Sequence, residues 1–285
     1  MTFVSDRLAT SCRGVPERER WLDGLGAAVD AACERWGLEL GRPFEGPEVS
    51  AAWVAPAVTP AGERVVLKLG MPHFEAAHEA RALALWAGDP TVWLIDVDDE
   101  HGAMLLERCE PGTPLRALPE RDQDAVIGAV IKRLHRSPPP GHGLRPLSAM
   151  WDAWSAERRR DEAAWSDAGL VLDGLARRDE LLRTTTEHVM LATDLHAGNV
   201  LAARREPWLV IDPKPFVGDA AYDVTQHLLN GPERLRTDPL GTVARVADLA
   251  GLDAERVRVW TFVRLVVAPT DAWSDGGDAV ARALA

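Results

Sequence analysis

At 285 residues with 46% hydrophobic content, the chain can fold as one large domain or two lobes, and wholesale disorder is excluded. Its 32 basic residues stand against 44 acidic ones, a net charge of −12, which argues against a nucleic-acid backbone partner and suits a cationic small molecule. Cys12, Cys33 and Cys109 form no C-x-x-C pair, the apolar stretches are too short to span a bilayer, and the start turns charged at Glu17-Arg18-Glu19-Arg20; a cytoplasmic protein off the membrane is expected.

In chain order, Leu22, Leu25, Val29, Ala32 and Trp36 form a helical stripe over 17–36. Pro43, Gly46 and Pro47 break it. The runs Ala51–Val58 and Arg64–Leu69 flank Thr59-Pro60-Ala61-Gly62, whose turn chemistry predicts a β-hairpin. A helix is predicted over 74–87, then strands Val92–Val97 and Ala103–Glu107 around the polar turn Asp98–Gly102. The pattern stops at Glu110-Pro111-Gly112-Thr113-Pro114. Beyond it helices are predicted over 120–136, 148–165, 170–184, 219–229, 241–250 and 253–268, interrupted by a loop and a short hairpin.

Residues 191–223, LATDLHAGNVLAARREPWLVIDPKPFVGDAAYD, carry the densest chemistry. Asp194 opens D-L-H-A-G-N, Asn199 closes it, and the apolar run Trp208–Ile211 delivers Asp212. Asp and Asn both favour turns, so D-x-x-x-x-N alone is a weak signal. Asp212 after the next strand, together with Lys68 upstream, makes it a strong one. Phosphoryl transfer needs positioning and charge neutralisation more than covalent chemistry. In such a site Asp194 orients the attacking hydroxyl, while Asn199 and Asp212 offer hard oxygen ligands suited to Mg²⁺. His196 and Gly198 shape the turn between them. Lys214, beside Asp212, is a further phosphate candidate.

Lys68 lies inside the apolar run Val65–Leu69, facing water from an edge strand or held for use against nucleotide phosphates. On the following helix, Glu79 is the first candidate partner, and Glu75, one turn earlier, also fits the spacing. Gly46–Ala52 stands where a phosphate-covering loop belongs, with Ser50 as its polar side chain, although it has neither a G-x-G-x-x-G nor a Walker pattern. Leu105–Cys109 reads as an inter-lobe hinge, placing Leu106, Glu107 and Cys109 beside the adenine. Asp219 is expected as an N-cap, and Asp223 as a helix-surface or loop-supporting residue. His135 and His142 show no metal-ligand spacing.

Four segments, V-V-L-K-L-G at 65–70, L-L-E-R-C-E-P-G-T-P-L at 105–115, D-L-H-A-G-N-V-L at 194–201 and I-D-P-K-P-F-V-G-D-A-A-Y-D at 211–223, resemble the aminoglycoside phosphotransferase superfamily. The likeness is strongest to its streptomycin 6-kinase and hydroxyurea phosphotransferase branch. It implies a protein-kinase-like fold, Asp194 as catalytic aspartate, Asn199 and Asp212 as magnesium ligands, and Lys68 as the phosphate lysine paired with Glu79. It also implies ATP as donor to a hydroxyl of a small natural product, commonly in antibiotic resistance. Typical members write H-G-D where this chain has Ala192-Thr193-Asp194.

The expected architecture is α+β and bilobal. It comprises a helical segment over 1–40, a small antiparallel-sheet lobe over 41–108, and a hinge with a larger, mainly helical lobe over 109–285. A cleft between the lobes would take Mg²⁺ and ATP. The acceptor is expected to be a cationic small molecule such as streptomycin, whose guanidinium groups call for carboxylates and aromatic faces. Trp151, Asp152, Trp154, Glu157, Asp161, Trp273 and Asp275 are the candidates for that pocket. Hydroxyurea, or a nucleoside or peptide antibiotic, is the alternative acceptor, and a nucleotide-binding pseudokinase the alternative class. Oligomeric state is left open.

Overall fold

The computed structural model describes residues 4–45, 51–160, 162–165, 167–268 and 277–285. The chain divides into two compact units, Met1–Thr113 with Leu201–Ile211, and Pro114–Val200 with Asp212–Ala285.

The first unit begins with α1 (Asp6–Cys12), capped by Ser5, whose Oγ accepts the Leu8 N–H at 3.3 Å. In α2 (Pro16–Trp36) the proline occupies the first turn, where its missing N–H leaves no helical bond unmade, and the helix ends at Gly37 with φ 62°. There follow β1 (Glu39–Leu40), β2 (Ala52–Val58) and β3 (Arg64–Gly70). Then come α3 (Glu79–Trp86), β4 (Leu94–Asp98) and β5 (Ala103–Glu107). The five strands make an antiparallel sheet ordered β1-β2-β3-β5-β4, so β3 is central and Lys68 lies between Val54 and Met104.

Strand period sorts the side chains of β3. Val65, Leu67 and Leu69 enter the core beneath the first two helices, with Leu8, Leu25, Val29, Trp53 and Leu105. Val66 packs on the opposite core, with Leu83 of α3, Met104, Leu106 and Leu209. Lys68 has the parity of Val66 and so shares the α3 side of the sheet.

The second unit opens with a 3₁₀ turn, Leu115–Ala117, followed by α4 (Glu120–Leu134), α5 (Leu147–Arg160), α6 (Ala168–Thr184) and β6 (Val189–Leu191). The hairpin of β7 (Val200–Ala202) and β8 (Trp208–Val210) then carries the chain back to the first unit. Val210 donates to Pro90 O and accepts from Val92 N, both at 3.0 Å. Arg205 secures the hairpin, donating to both Glu107 carboxylate oxygens (3.0 and 2.8 Å) and to the carbonyls of Gly88 (2.9 Å) and Thr91 (3.0 Å). Its guanidinium also stacks 5.1 Å from the Trp93 ring centroid.

The second unit resumes with β9 (Phe216–Gly218), antiparallel to β6 with Leu191 opposite Phe216. A 3₁₀ turn, Ala220–Tyr222, leads into α7 (Thr225–Leu229), α8 (Pro232–Thr237) and α9 (Pro239–Ala250). The chain closes with α10 (Ala254–Val267) and α11 (Gly277–Leu284). Trp151, Tyr222 and Trp260 pack at the centre with centroids 5.4–5.8 Å apart, and Trp154 meets Trp151 edge-on at 5.2 Å. The Trp260 indole N–H donates to the buried Asp219 carboxylate at 2.6 Å. Among the described residues no helix is long and apolar enough to cross a membrane.

Several expected boundaries move. The helix over 74–87 starts only at Glu79, because His78 adopts φ 76° and breaks the regular turn before it. The strand expected at Val92 starts at Leu94. Asp219 caps the short turn Ala220–Tyr222 rather than a helix through 229, and the helix over 148–165 ends at Arg160 before a separate 3₁₀ turn. The short elements α1, β1, α8 and α11 were not foreseen; each is at most eight residues long, too brief for periodicity to register.

Candidate active site

In the first unit the α3 side of the sheet carries a buried ion pair. Lys68 Nζ lies 2.5 Å and 2.7 Å from the two carboxylate oxygens of Glu79, and each residue is only 5% exposed. Glu79 is the first residue of α3, where the N–H groups of an opening helix favour a negative charge. The pairing selects Glu79 over Glu75 as the partner of Lys68. Burying two charges costs several kcal/mol per ion, roughly what their attraction returns, so such a pair is weak evidence for stability alone. It keeps an ammonium desolvated on a rigid central strand.

The hinge candidates are also in this unit. Leu106 belongs to the α3-side core, and the Glu107 carboxylate is engaged by Arg205. The Glu107 N–H donates to Trp93 O at 2.9 Å. Burial pushes the Cys109 thiol up to about 12, which removes it as a thiolate nucleophile at neutral pH. Ser50 lies outside the described residues.

In the second unit, residues 192–199 form a loop between β6 and β7. Asp223, fully buried, accepts the Ala192 N–H at 3.0 Å and the Thr193 N–H at 2.7 Å, clamping the start of the loop. His135 Nε2 approaches the same carboxylate at 3.2 Å. Thr193 stands at φ 39°, a conformation that favours glycine, and its hydroxyl donates to Lys214 O at 2.6 Å. Lys214 N–H in turn donates to Ala192 O at 2.8 Å, so the two motif segments are tied by their backbones. The substitution of Ala-Thr for His-Gly thus leaves an anchored loop, with a threonine hydrogen bond holding the left-handed residue.

Beyond this clamp the loop presents its polar groups. Asn199 Nδ2 donates to Asp194 O at 3.0 Å, and with that amide committed Oδ1 is the atom that can coordinate or accept. His196 Nδ1 accepts the Gly198 N–H at 3.0 Å, which puts the proton of the neutral ring on Nε2, 4.0 Å from Asp194 Oδ1. A Cβ at Gly198 would fall 1.8 Å from Arg116 Nη2 and 2.7 Å from His196 Cε1, so both side chains would have to shift to admit one. Asp194 Oδ1 also accepts from Gln226 Nε2 at 2.7 Å. Asp212, two residues past β8 and at φ 51°, receives Lys214 Nζ on Oδ1 at 2.6 Å.

Among the described residues no three His, Cys, Asp or Glu side chains gather as metal ligands. Asp212 and the Asn199 amide oxygen would supply one carboxylate and one neutral oxygen. That set fits Mg²⁺, which commonly takes one or two protein oxygens and completes its shell with waters and phosphates.

The candidates for acceptor binding separate. The buried residues of α5 are Leu147, Met150, Trp151 and Ser155, one helical stripe. Trp151 is 0% exposed within the aromatic cluster, so it is corrected from a pocket residue to a packing residue. Asp152 and Glu157 sit on the exposed face, Asp152 paired with Arg178. Asp161, Trp273 and Asp275 lie outside the described residues. Sequence reasoning missed His135 and Gln226 as supports of this loop, and Arg264, which donates to Gln226 Oε1. Gln226 follows Asp223 by three positions, a spacing that puts both on one face and could have marked it.

A family model for "Aminoglycoside/hydroxyurea antibiotic resistance kinase" matches residues 38–276. The chain is 36% identical over 274 residues to the streptomycin 6-kinase of Streptomyces griseus, covering 92% of this chain and 88% of that protein. It is also 36% identical over 260 residues to the hydroxyurea phosphotransferase of Kitasatospora aureofaciens, covering 89% and 74% respectively. Among solved structures, choline kinase LicA from Streptococcus pneumoniae aligns with a TM-score of 0.63 at 12% identity, over 91% of each chain. A spectinomycin phosphotransferase solved with ADP and spectinomycin aligns with a TM-score of 0.56 at 13% identity, over 90% of this chain and 98% of that one. At these identities the structural likeness shows the fold, a kinase-like α+β architecture.

Proposed function

Because the chain belongs to the aminoglycoside/hydroxyurea antibiotic resistance kinases, and so is a phosphotransferase that draws on ATP, we propose that it phosphorylates a hydroxyl of streptomycin or a close relative in the cytoplasm. The observation that carries this reading is the clamped 192–199 loop, in which Asp223 fixes the backbone, Asn199 is tied to Asp194, and the Asp194 carboxylate is held by Gln226.

In this account Asp194 accepts a hydrogen bond from the acceptor hydroxyl and guides its proton as the hydroxyl oxygen bonds to the γ-phosphorus. The bond from that phosphorus to the bridging oxygen breaks, and ADP leaves. Lys68, kept in place by Glu79, neutralises phosphate charge on the nucleotide. Asn199 and Asp212 would hold Mg²⁺, which would supply charge neutralisation to the phosphates when bound. The backbone of Leu106–Cys109 faces the adenine. Asp152 and Glu157, exposed carboxylates on α5, are retained for the guanidinium groups of a cationic acceptor. Hydroxyurea is the second reading, supported by a relative of equal identity.

Release of ADP from Mg²⁺-ATP is measured with streptomycin, with hydroxyurea and with neither. Strong stimulation by streptomycin, with a mass gain of one phosphoryl group on the drug, is expected. Stimulation by hydroxyurea alone would transfer the assignment to the second reading. No stimulation by either, despite a thermal shift with Mg²⁺-ATP, would contradict both acceptor assignments.

A further inference from the structure

Asp194 is held from behind by a two-residue relay. Gln226, just inside α7, donates from Nε2 to Asp194 Oδ1 at 2.7 Å. An amide is ambiguous by itself, because either end can face a carboxylate. Here the other end is fixed: Arg264 Nη2 donates to Gln226 Oε1. Arg264 is 7% exposed on α10, its Nη1 donates to Thr225 Oγ1 at 2.9 Å, and its guanidinium lies 5.2 Å from the Tyr222 ring centroid. A guanidinium has only donors, so it obliges Gln226 to present oxygen to it and N–H to Asp194.

We propose that Gln226 is a positioning residue for phosphoryl transfer: with its orientation set by Arg264, it fixes the Asp194 carboxylate by donating to Oδ1. The inference rests on the reading of Asp194 as the residue that receives the acceptor hydroxyl. A neutral donor suits the task, since it fixes the carboxylate without the full neutralisation that a lysine or arginine would impose. It also explains why a buried arginine is directed at an uncharged side chain when carboxylates are abundant in the chain.

The test uses the full-length protein with Mg²⁺-ATP and streptomycin, comparing Gln226→Met, Gln226→Glu and Asp194→Ala. Gln226→Met removes the donor at similar length. Gln226→Glu keeps the shape and gives Arg264 a true ion pair, yet turns a carboxylate oxygen toward Asp194. The relay predicts about a 10-fold loss of kcat for Gln226→Met and about 100-fold for Gln226→Glu, the scale expected of misplaced catalytic groups. KM for ATP should stay within about twofold in both, with a preserved Mg²⁺-ATP thermal shift. A purely structural glutamine predicts the opposite order, with glutamate the milder change. That order, or kcat near wild type in both variants while Asp194→Ala is inactive, would overturn the inference. Full activity in Asp194→Ala would instead overturn the reading of the site on which it rests.

Discussion

Lys68 and Glu79 illustrate how much a single buried contact constrains both stability and function. Removing either residue takes away the other's close ion-pair partner at 5% exposure, which should cost up to about 3–5 kcal/mol. We therefore expect Lys68→Met to lose both stability in urea and turnover of ATP. The double variant Lys68→Met with Glu79→Leu removes both charges and should recover most of the stability, because apolar pairs often replace buried ion pairs without loss. It should not recover turnover. Recovery of both would make Lys68 a folding residue only. The identity of this pair was legible in sequence down to a choice between two glutamates. The break at His78 decides it, since it places Glu79 rather than Glu75 in the first helical turn, and a left-handed histidine leaves no pattern to read.

At the level of elements, alternation and turn chemistry sufficed for the hairpin of β2 and β3 and for the strand pair around Asp98–Gly102. Long helices also declared themselves. What stayed hidden were short helices and the long-range polar contacts that join them. One such node sits on α4, where buried Asp124 receives His227 Nε2 of α7 at 2.8 Å, Arg234 of α8, and Arg245 of α9 at 3.2 Å. Residues 103 to 121 positions apart meet there, beyond the reach of any local period. Burial depresses the His227 pKa below its ordinary 6.5, aided by the neighbouring Arg234, against the opposing pull of Asp124 and Glu120. A depressed folded value means that the unfolded chain binds the extra proton first. The stability contribution is therefore present above 6.5 and is lost as pH falls through that value toward the folded one. Urea midpoints should decline on acidification across this window, and His227→Gln, which keeps a donor for Asp124 without titrating, should flatten the decline. An unchanged slope in that variant would remove His227 as its source.

For the whole molecule, the chain path explains why the motif is so compact in sequence. Leu201–Ile211 belongs to the first unit, yet it lies between Asn199 and Asp212, so the chain crosses between units on either side of one hairpin. Arg205 anchors that hairpin through four hydrogen bonds, none of which a motif search would weigh. The fold class and the family were legible because D-L-H-A-G-N and I-D-P-K retain their spacing around this excursion. The tryptophan-rich face of α5 misled because core and pocket draw on the same residue types; only burial separates Trp151 from Asp152. Asp194 is the residue on which phosphoryl transfer depends most directly in this reading. The most direct test compares Asp194→Ala with the wild type for phosphoryl transfer from Mg²⁺-ATP to streptomycin, recording the Mg²⁺-ATP thermal shift in parallel. We predict a loss in kcat of at least about 100-fold with the nucleotide shift retained, as expected when a residue that guides the proton is removed. Transfer by Asp194→Ala at the wild-type rate would contradict the account.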